Sequence, residues 1–296
     1  MKILITGANG MVARAAARCC ISVGDDVTAL SRQELNISDR GQTLSVITAI
    51  RPDAVINCAA FTDVDGAETD RPACFNTNAS GVENLARACK RVGAGFVTIS
   101  TDYVFDGSNP GFYTQRDAPN PEGTYAVSKR EGEIRAFTAY PRSIIVRSGW
   151  IYGSGGTNFL SVLPDLLASR TRVRAISDAF GTPTFGDDLA KRLRELAEAD
   201  LPGVFHVTNL GEGCSYLGFT EKVCEIGNFD KALLQPILHA DLSRPAPRPV
   251  NSKLACLISE KLGFSPLRRW DDALAAFLQK KKATPVCLTP LPNRLT

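Results

Sequence analysis

The junction at the start of the chain constrains the fold more than any other feature. Residues 2–6 read KILIT, an apolar β-like run, and lead straight into Thr6-Gly7-Ala8-Asn9-Gly10-Met11-Val12-Ala13. A glycine at 7 permits a tight turn. A glycine at 10 lets the backbone approach a pyrophosphate whose charge rests on the following helix N-terminus. Position 13 needs only a small residue for helix-on-strand packing, and Ala13 suffices. A glycine pair alone could mark any tight βα turn. Here it follows a strand and opens a helix, which is the context a dinucleotide site requires.

The pattern then repeats. Strands are expected at 26–30, 54–57, 95–100 and 143–146, and helices at 10–21, 40–50, 76–92 and 125–137. Near-continuous apolar strands alternating with helices imply a parallel sheet covered on both faces. Right-handed crossovers make it an α/β, Rossmann-like doubly wound sheet. Beyond residue 150 the alternation loosens. Helices are expected at 159–169, 187–199, 216–226 and 271–282, and strands at 172–176 and 204–207, with a proline-rich stretch over 235–249. The expected division is a nucleotide-binding domain over 1–150, to which later segments return, a smaller C-terminal substrate-binding lobe over 151–282, and a tail over 283–296.

Composition narrows the classes. With 34 basic and 31 acidic residues the net charge is +3, too balanced for a nucleic-acid or polybasic membrane surface. No apolar run is long enough for a transmembrane helix. The nine cysteines are odd in number, without C-x-x-C spacing, and fit a reducing, cytoplasmic setting. With two histidines and no cysteine pairs, no metal site is expected. His206 reads as a satisfied core histidine.

Two features point to redox chemistry. Strand two ends in Leu30-Ser31-Arg32, without the acid that commonly grips the ribose 2′-hydroxyl of NAD. Ser31 and Arg32 suit a 2′-phosphate, so NADPH is favoured and NADH left open. The alternative is that Arg32 is solvated and that Asp39 or a backbone group recognises the ribose. Tyr125 and Lys129 lie four apart, on one helix face. A lysine charge beside a phenol lowers its pKa and makes it a competent proton donor to a carbonyl.

Several segments carry a more specific likeness. They are Asn57-Cys58-Ala59-Ala60-Phe61-Thr62-Asp63-Val64-Asp65-Gly66-Ala67-Glu68, Ser100-Thr101-Asp102-Tyr103-Val104-Phe105-Asp106-Gly107, Arg147-Ser148-Gly149-Trp150-Ile151-Tyr152-Gly153, Gly181-Thr182-Pro183-Thr184 and Arg248-Pro249-Val250-Asn251-Ser252. With the glycine turn and the Tyr–Lys pair, in this order, the chain resembles the dTDP-4-dehydrorhamnose reductases among the extended short-chain dehydrogenase/reductases. The likeness runs to about Leu278.

The resemblance implies an NADPH-dependent oxidoreductase of deoxysugar biosynthesis with a nucleotide-sugar substrate. Thr101 would hydrogen-bond the substrate's 4-keto oxygen, Tyr125 would protonate it, and Lys129 would hold the nicotinamide ribose. Tyr103 and Trp150 would pack on the sugar, with Asp102 nearby. Gly7, Met11 and Val12 would hold the pyrophosphate, Asn36 and Ile37 would flank the adenine, and Cys58, Ala59 and Ala60 would line the cofactor path. Arg244 or Arg248 would reach the substrate diphosphate.

The chain departs from the family pattern at Asn36, Cys58, Gly66 and Gly149. Arg14 and Ala15 stand where some relatives carry a Glu that helps bind Mg²⁺ at a dimer interface, so neither that metal nor that dimer is expected, and homodimerisation stays open. Two other functions remain: 4-ketoreduction of a different dTDP-deoxysugar, and a non-catalytic NADP-binding regulatory subunit of a methionine adenosyltransferase.

Overall fold

The structure, a computed structural model, describes residues 1–283. Six parallel strands form the central sheet: β1 (Lys2–Thr6), β2 (Asp26–Leu30), β3 (Ala54–Asn57), β4 (Gly95–Thr101), β5 (Ile144–Ser148) and β6 (Gly203–His206). Their order is β6-β5-β4-β3-β1-β2. The order reverses after β1, so the carboxyl ends of β1, β3 and β4 open a crevice where a doubly wound sheet takes its ligand.

The strands are apolar on both sides because both sides are buried. Ile3, Ile5, Ile56, Val97, Ile144, Val146 and Phe205 face helices α1 (Met11–Ser22) and the later Gly186–Ala199. Leu4, Val55, Phe96 and Ile145 face α2 (Arg40–Ile50), α3 (Val82–Val92) and α4 (Gly123–Ala139). Each fully buried side chain of this size contributes roughly 1.5–3 kcal/mol. A third cluster, built on Tyr152, Leu163, Phe219, Trp270 and Phe277, is formed by residues after 149. There α5 (Phe159–Ala168), α7 (Tyr216–Gly227) and α8 (Trp270–Ala283) pack together, and Gly186–Ala199 is α6.

Two segments depart from the sequence reading. The expected helix over 76–92 is a helix from Arg71 to Val92 interrupted by a π-helical stretch, Asn76–Gly81. The wide turn presses the Asn78 carbonyl onto α4, where a Cβ at Gly132 would lie 2.1 Å from that oxygen. The proline-rich stretch begins with a strand, Leu234–Ile237, paired in parallel with Val173–Ile176. Its Pro236 is tolerated because this two-stranded sheet has only edges. Most of the expected tail, 284–296, lies outside the described residues. Among the described residues no helix is long and apolar enough to cross a membrane.

Candidate active site

The cofactor end is built by backbone. Gly7 has φ +72°, and a Cβ there would lie 2.8 Å from the Ala59 nitrogen, so the β1–α1 turn nests against residues 58–60 only as glycine. The Gly10 amide donates to the Gly7 carbonyl at 2.8 Å. Gly10 caps α1 without a side chain, which leaves the first-turn amides of Met11 and Val12 available to an anion. A buried polar ladder aligns the strand ends. Thr6 Oγ1 donates to Asn57 Oδ1 at 2.6 Å, and Asn57 Nδ2 donates to Thr98 Oγ1 at 2.8 Å. The Ala59 amide also donates to Asn57 Oδ1, holding the 58–60 segment.

At the adenosine edge the picture is richer than the sequence suggested. Arg32 is exposed after β2. Glu34 is the acid that the sequence reading did not assign to this edge. Its carboxylate accepts from both the Ser31 amide at 2.8 Å and the Ser31 hydroxyl at 2.7 Å. Asn36 caps the Ser38 amide, and Ile37 is buried beneath Gly81 of the π stretch.

A cavity of about 340 Å³ opens beyond this crevice. Val12, Cys58, Ala59 and Ala60 line the side next to the glycine turn, and Thr101, Tyr125 and Lys129 meet in its wall. Burial pushes the Cys58 thiol up to about 12, so it is neutral. Lys129 donates from Nζ to the Ile99 carbonyl at 2.6 Å. Desolvation lowers its pKa to about 8, against the pull of Glu133.

Tyr125 corrects one expectation. Desolvation raises the phenol above its ordinary value, and the facing Thr101 hydroxyl draws it partly back. Burial is the largest influence on the phenol. The phenol therefore carries its proton at neutral pH, the form a donor needs.

The wall where the resemblance implies the sugar is aromatic. Trp150 stacks on Tyr216 at 3.9 Å between centroids, and Tyr103 meets Tyr125 edge-on at 6.2 Å. Trp150 has φ +49°, a costly conformation for a large side chain and one typical of functional sites. Gly181 makes room for its indole, since a Cβ there would lie 2.2 Å from Trp150 Nε1. Asp102 lies in the same wall with its carboxyl over Gly149.

Against known proteins, the family described as the RmlD substrate binding domain matches residues 1–283. The chain belongs to that family. A dTDP-4-dehydrorhamnose reductase of Mycobacterium tuberculosis is 38% identical over 99% of this chain and 96% of its own length. Two solved structures, each covering 95% of this chain and all of their own, superpose with a TM-score of 0.90. One is a Clostridium acetobutylicum dTDP-4-dehydrorhamnose reductase, 34% identical; the other is the Bacillus anthracis enzyme in complex with NADP, 33% identical.

In this RmlD-family chain the acids of the Thr62–Glu68 segment serve as bolts. Glu68 accepts from the Thr124 amide at 2.7 Å and its hydroxyl at 2.9 Å, capping the start of α4 one residue before Tyr125. Asp65 holds Arg248 through two bonds, of 2.9 and 2.7 Å. Arg248, expected at the substrate diphosphate, is thus already engaged at the rim. Behind α4, Glu133 and Arg147 form a buried two-point pair at 2.9 and 2.8 Å. His206 sits beside it with Nδ1 at 3.0 Å from the Ala255 carbonyl, and burial lowers its pKa to about 4. Asn78 ties the π stretch to the Phe61 backbone and to Ser128, whose hydroxyl donates to the Tyr125 carbonyl. Arg14 bonds the backbone of Asn9 and Gly155, joining the glycine turn to the segment after Tyr152.

Proposed function

We propose that this chain reduces the 4-keto group of dTDP-4-dehydro-6-deoxy-L-mannose to give dTDP-L-rhamnose. Family membership makes it an NAD(P)H-dependent oxidoreductase, with NADP(H) as cofactor. The observation that carries the substrate reading is the convergence of Thr101, Tyr125 and Lys129 on one cavity between the uncapped start of α1 and the Trp150–Tyr216 stack.

The residues suit the cofactor. The glycine cradle and free helix amides would receive the pyrophosphate, Cys58, Ala59 and Ala60 would border the ribose and nicotinamide, and Lys129 would hold the ribose. When bound, NADPH supplies the hydride. Negative charge then develops on the ketone oxygen, where the Thr101 and Tyr125 hydroxyls would meet it. Tyr125 would transfer its proton there, and Tyr103 and Trp150 would keep water off the sugar face. In this reading residues 1–150 hold the cofactor and 151–282 mainly the sugar nucleotide. Arg248 would reach the diphosphate by exchanging one oxygen of Asp65 for the ligand.

Incubation with dTDP-4-dehydro-6-deoxy-L-mannose should oxidise NADPH stoichiometrically. No oxidation, with normal turnover of another dTDP-4-keto sugar, would move the substrate and keep the reaction class. Arg32→Ala should weaken NADPH binding more than NADH binding, because the lost cation faces only a 2′-phosphate; equal losses in fluorescence titrations would contradict that assignment. The kcat/KM for NADPH should fall as pH rises through about 8, where Lys129 loses its proton. A profile flat to pH 9.5 would contradict a cationic role for Lys129.

A further inference from the structure

Asp102 is 3% exposed and makes no ion pair among the described residues. Its Oδ1 accepts from Thr101 Oγ1 at 3.1 Å, while Oδ2 is buried without a hydrogen bond. The carboxyl occupies the space above Gly149, where a Cβ would lie 2.2 Å from both its Cγ and its Oδ2. Glycine at 149 is therefore what allows the acid to lie back beside Thr101. Thr101 Oγ1 also accepts the Tyr103 amide proton at 3.2 Å.

The Thr101 hydroxyl has one proton and two lone pairs. An ionised Asp102 only accepts, so it takes that proton and leaves Thr101 presenting a lone pair to the cavity. A ketone oxygen is itself an acceptor and gains nothing from it. A neutral Asp102 reverses the polarity. Its O–H donates to Thr101 Oγ1, Tyr103 fills the other lone pair, and the threonine proton turns into the cavity. We infer that Asp102 acts as a neutral carboxylic acid that aims the Thr101 hydroxyl proton at the substrate ketone. It is a positioning residue, and the inference rests on the reductase reading above.

The surroundings shift the acid toward the neutral form, which predominates below about pH 6. Burial raises the Asp102 pKa to about 6, against the Ser252 and Thr101 hydroxyls. The titratable groups facing it are phenols, uncharged at neutral pH: Tyr103 on its own turn, Tyr125 on α4 and Tyr216 on α7. The cations of this wall act on its neighbours: Arg248 on Tyr103, and Arg244 and Arg248 on Tyr216; Lys129 lines the same cavity. A bound sugar would remove more water and raise the acid further.

The test is kcat/KM against pH from 5 to 9. Wild type should fall about tenfold as Asp102 ionises above about pH 6, then again near pH 8 with Lys129. Asp102→Asn carries a neutral donor in the same place, so it should keep the low-pH rate, lose the lower limb and retain the upper one. Thr101→Val should be slow throughout and should also lack the lower limb. NADPH binding by fluorescence confirms that each variant is folded. A lower limb surviving in either variant, or an Asp102→Asn rate about 100-fold down at every pH, would overturn the inference while leaving the reductase reading intact. A wild-type protein inactive on every dTDP-4-keto sugar overturns that reading, and the inference with it.

Discussion

Tyr125→Phe is expected to lower kcat by about 10²–10⁴-fold, the usual contribution of a positioned proton donor. NADPH affinity should stay within a few-fold. The substitution removes one hydroxyl and keeps the ring, which meets Tyr103 edge-on. Lys129 keeps its bond to the Ile99 carbonyl, and Glu68 still caps the start of α4. Only the group that would give its proton to the ketone is lost. Single-turnover oxidation of NADPH measures the effect. A variant retaining more than a tenth of the wild-type rate would assign the proton to another donor and would reopen the binding-subunit reading.

The largest stability effect is expected at the bolt behind α4. Glu133→Ala should cost about 3–5 kcal/mol, because Arg147 would remain buried without its carboxylate partner. For a chain of this size that corresponds to a fall in Tm of roughly 5–8 °C. Burial alone would push the Glu133 carboxyl up, but Arg147, with Ser100 and Arg130, holds it below the usual range. The pair's stabilisation is therefore present above about pH 4.3, the ordinary glutamate value, and is lost as pH falls through the depressed one. Replacing both partners, as Glu133→Leu with Arg147→Met, should recover most of the loss, since no uncompensated charge remains. Calorimetry of the single and double variants checks both outcomes. Equal Tm values for wild type and Glu133→Ala would contradict the role given to the pair.

The parts of the molecule that local chemistry determines could be read in the sequence. The glycine turn, the apolar strands and the helix bearing Tyr125 and Lys129 each follow from neighbours a few residues apart. What escaped depends on contacts across long sequence distances. Glu68 caps α4 from 56 residues away, and Asp65 grips Arg248 from 183 away. Both acids looked like a polar loop because their partners belong to other elements. The π stretch is invisible to helical periodicity: one extra residue per turn leaves the apolar positions of α3 intact. Its cause, the Asn78 amide meeting the Phe61 backbone, is tertiary. Tyr216 joined the site only through its stack on Trp150, whose left-handed backbone no local rule assigns to tryptophan. Glu34 is the local exception: it lies two residues beyond the end of the second strand's motif and only three from Ser31, from whose hydroxyl it accepts a hydrogen bond. The expected effect of Lys129 on the Tyr125 phenol failed for a related reason. Helical spacing brings the two residues to one face, but burial of the ring is the largest influence on the phenol.

The central claim is transfer to C4 of the sugar with Tyr125 as proton donor. The most direct measurement follows the label from NADPH carrying deuterium at the transferable nicotinamide position. With dTDP-4-dehydro-6-deoxy-L-mannose, proton NMR of the product should show dTDP-L-rhamnose with its C4 hydrogen replaced by deuterium. Label at any other carbon, a C4 epimer of rhamnose, or oxidised cofactor without labelled sugar would contradict the account.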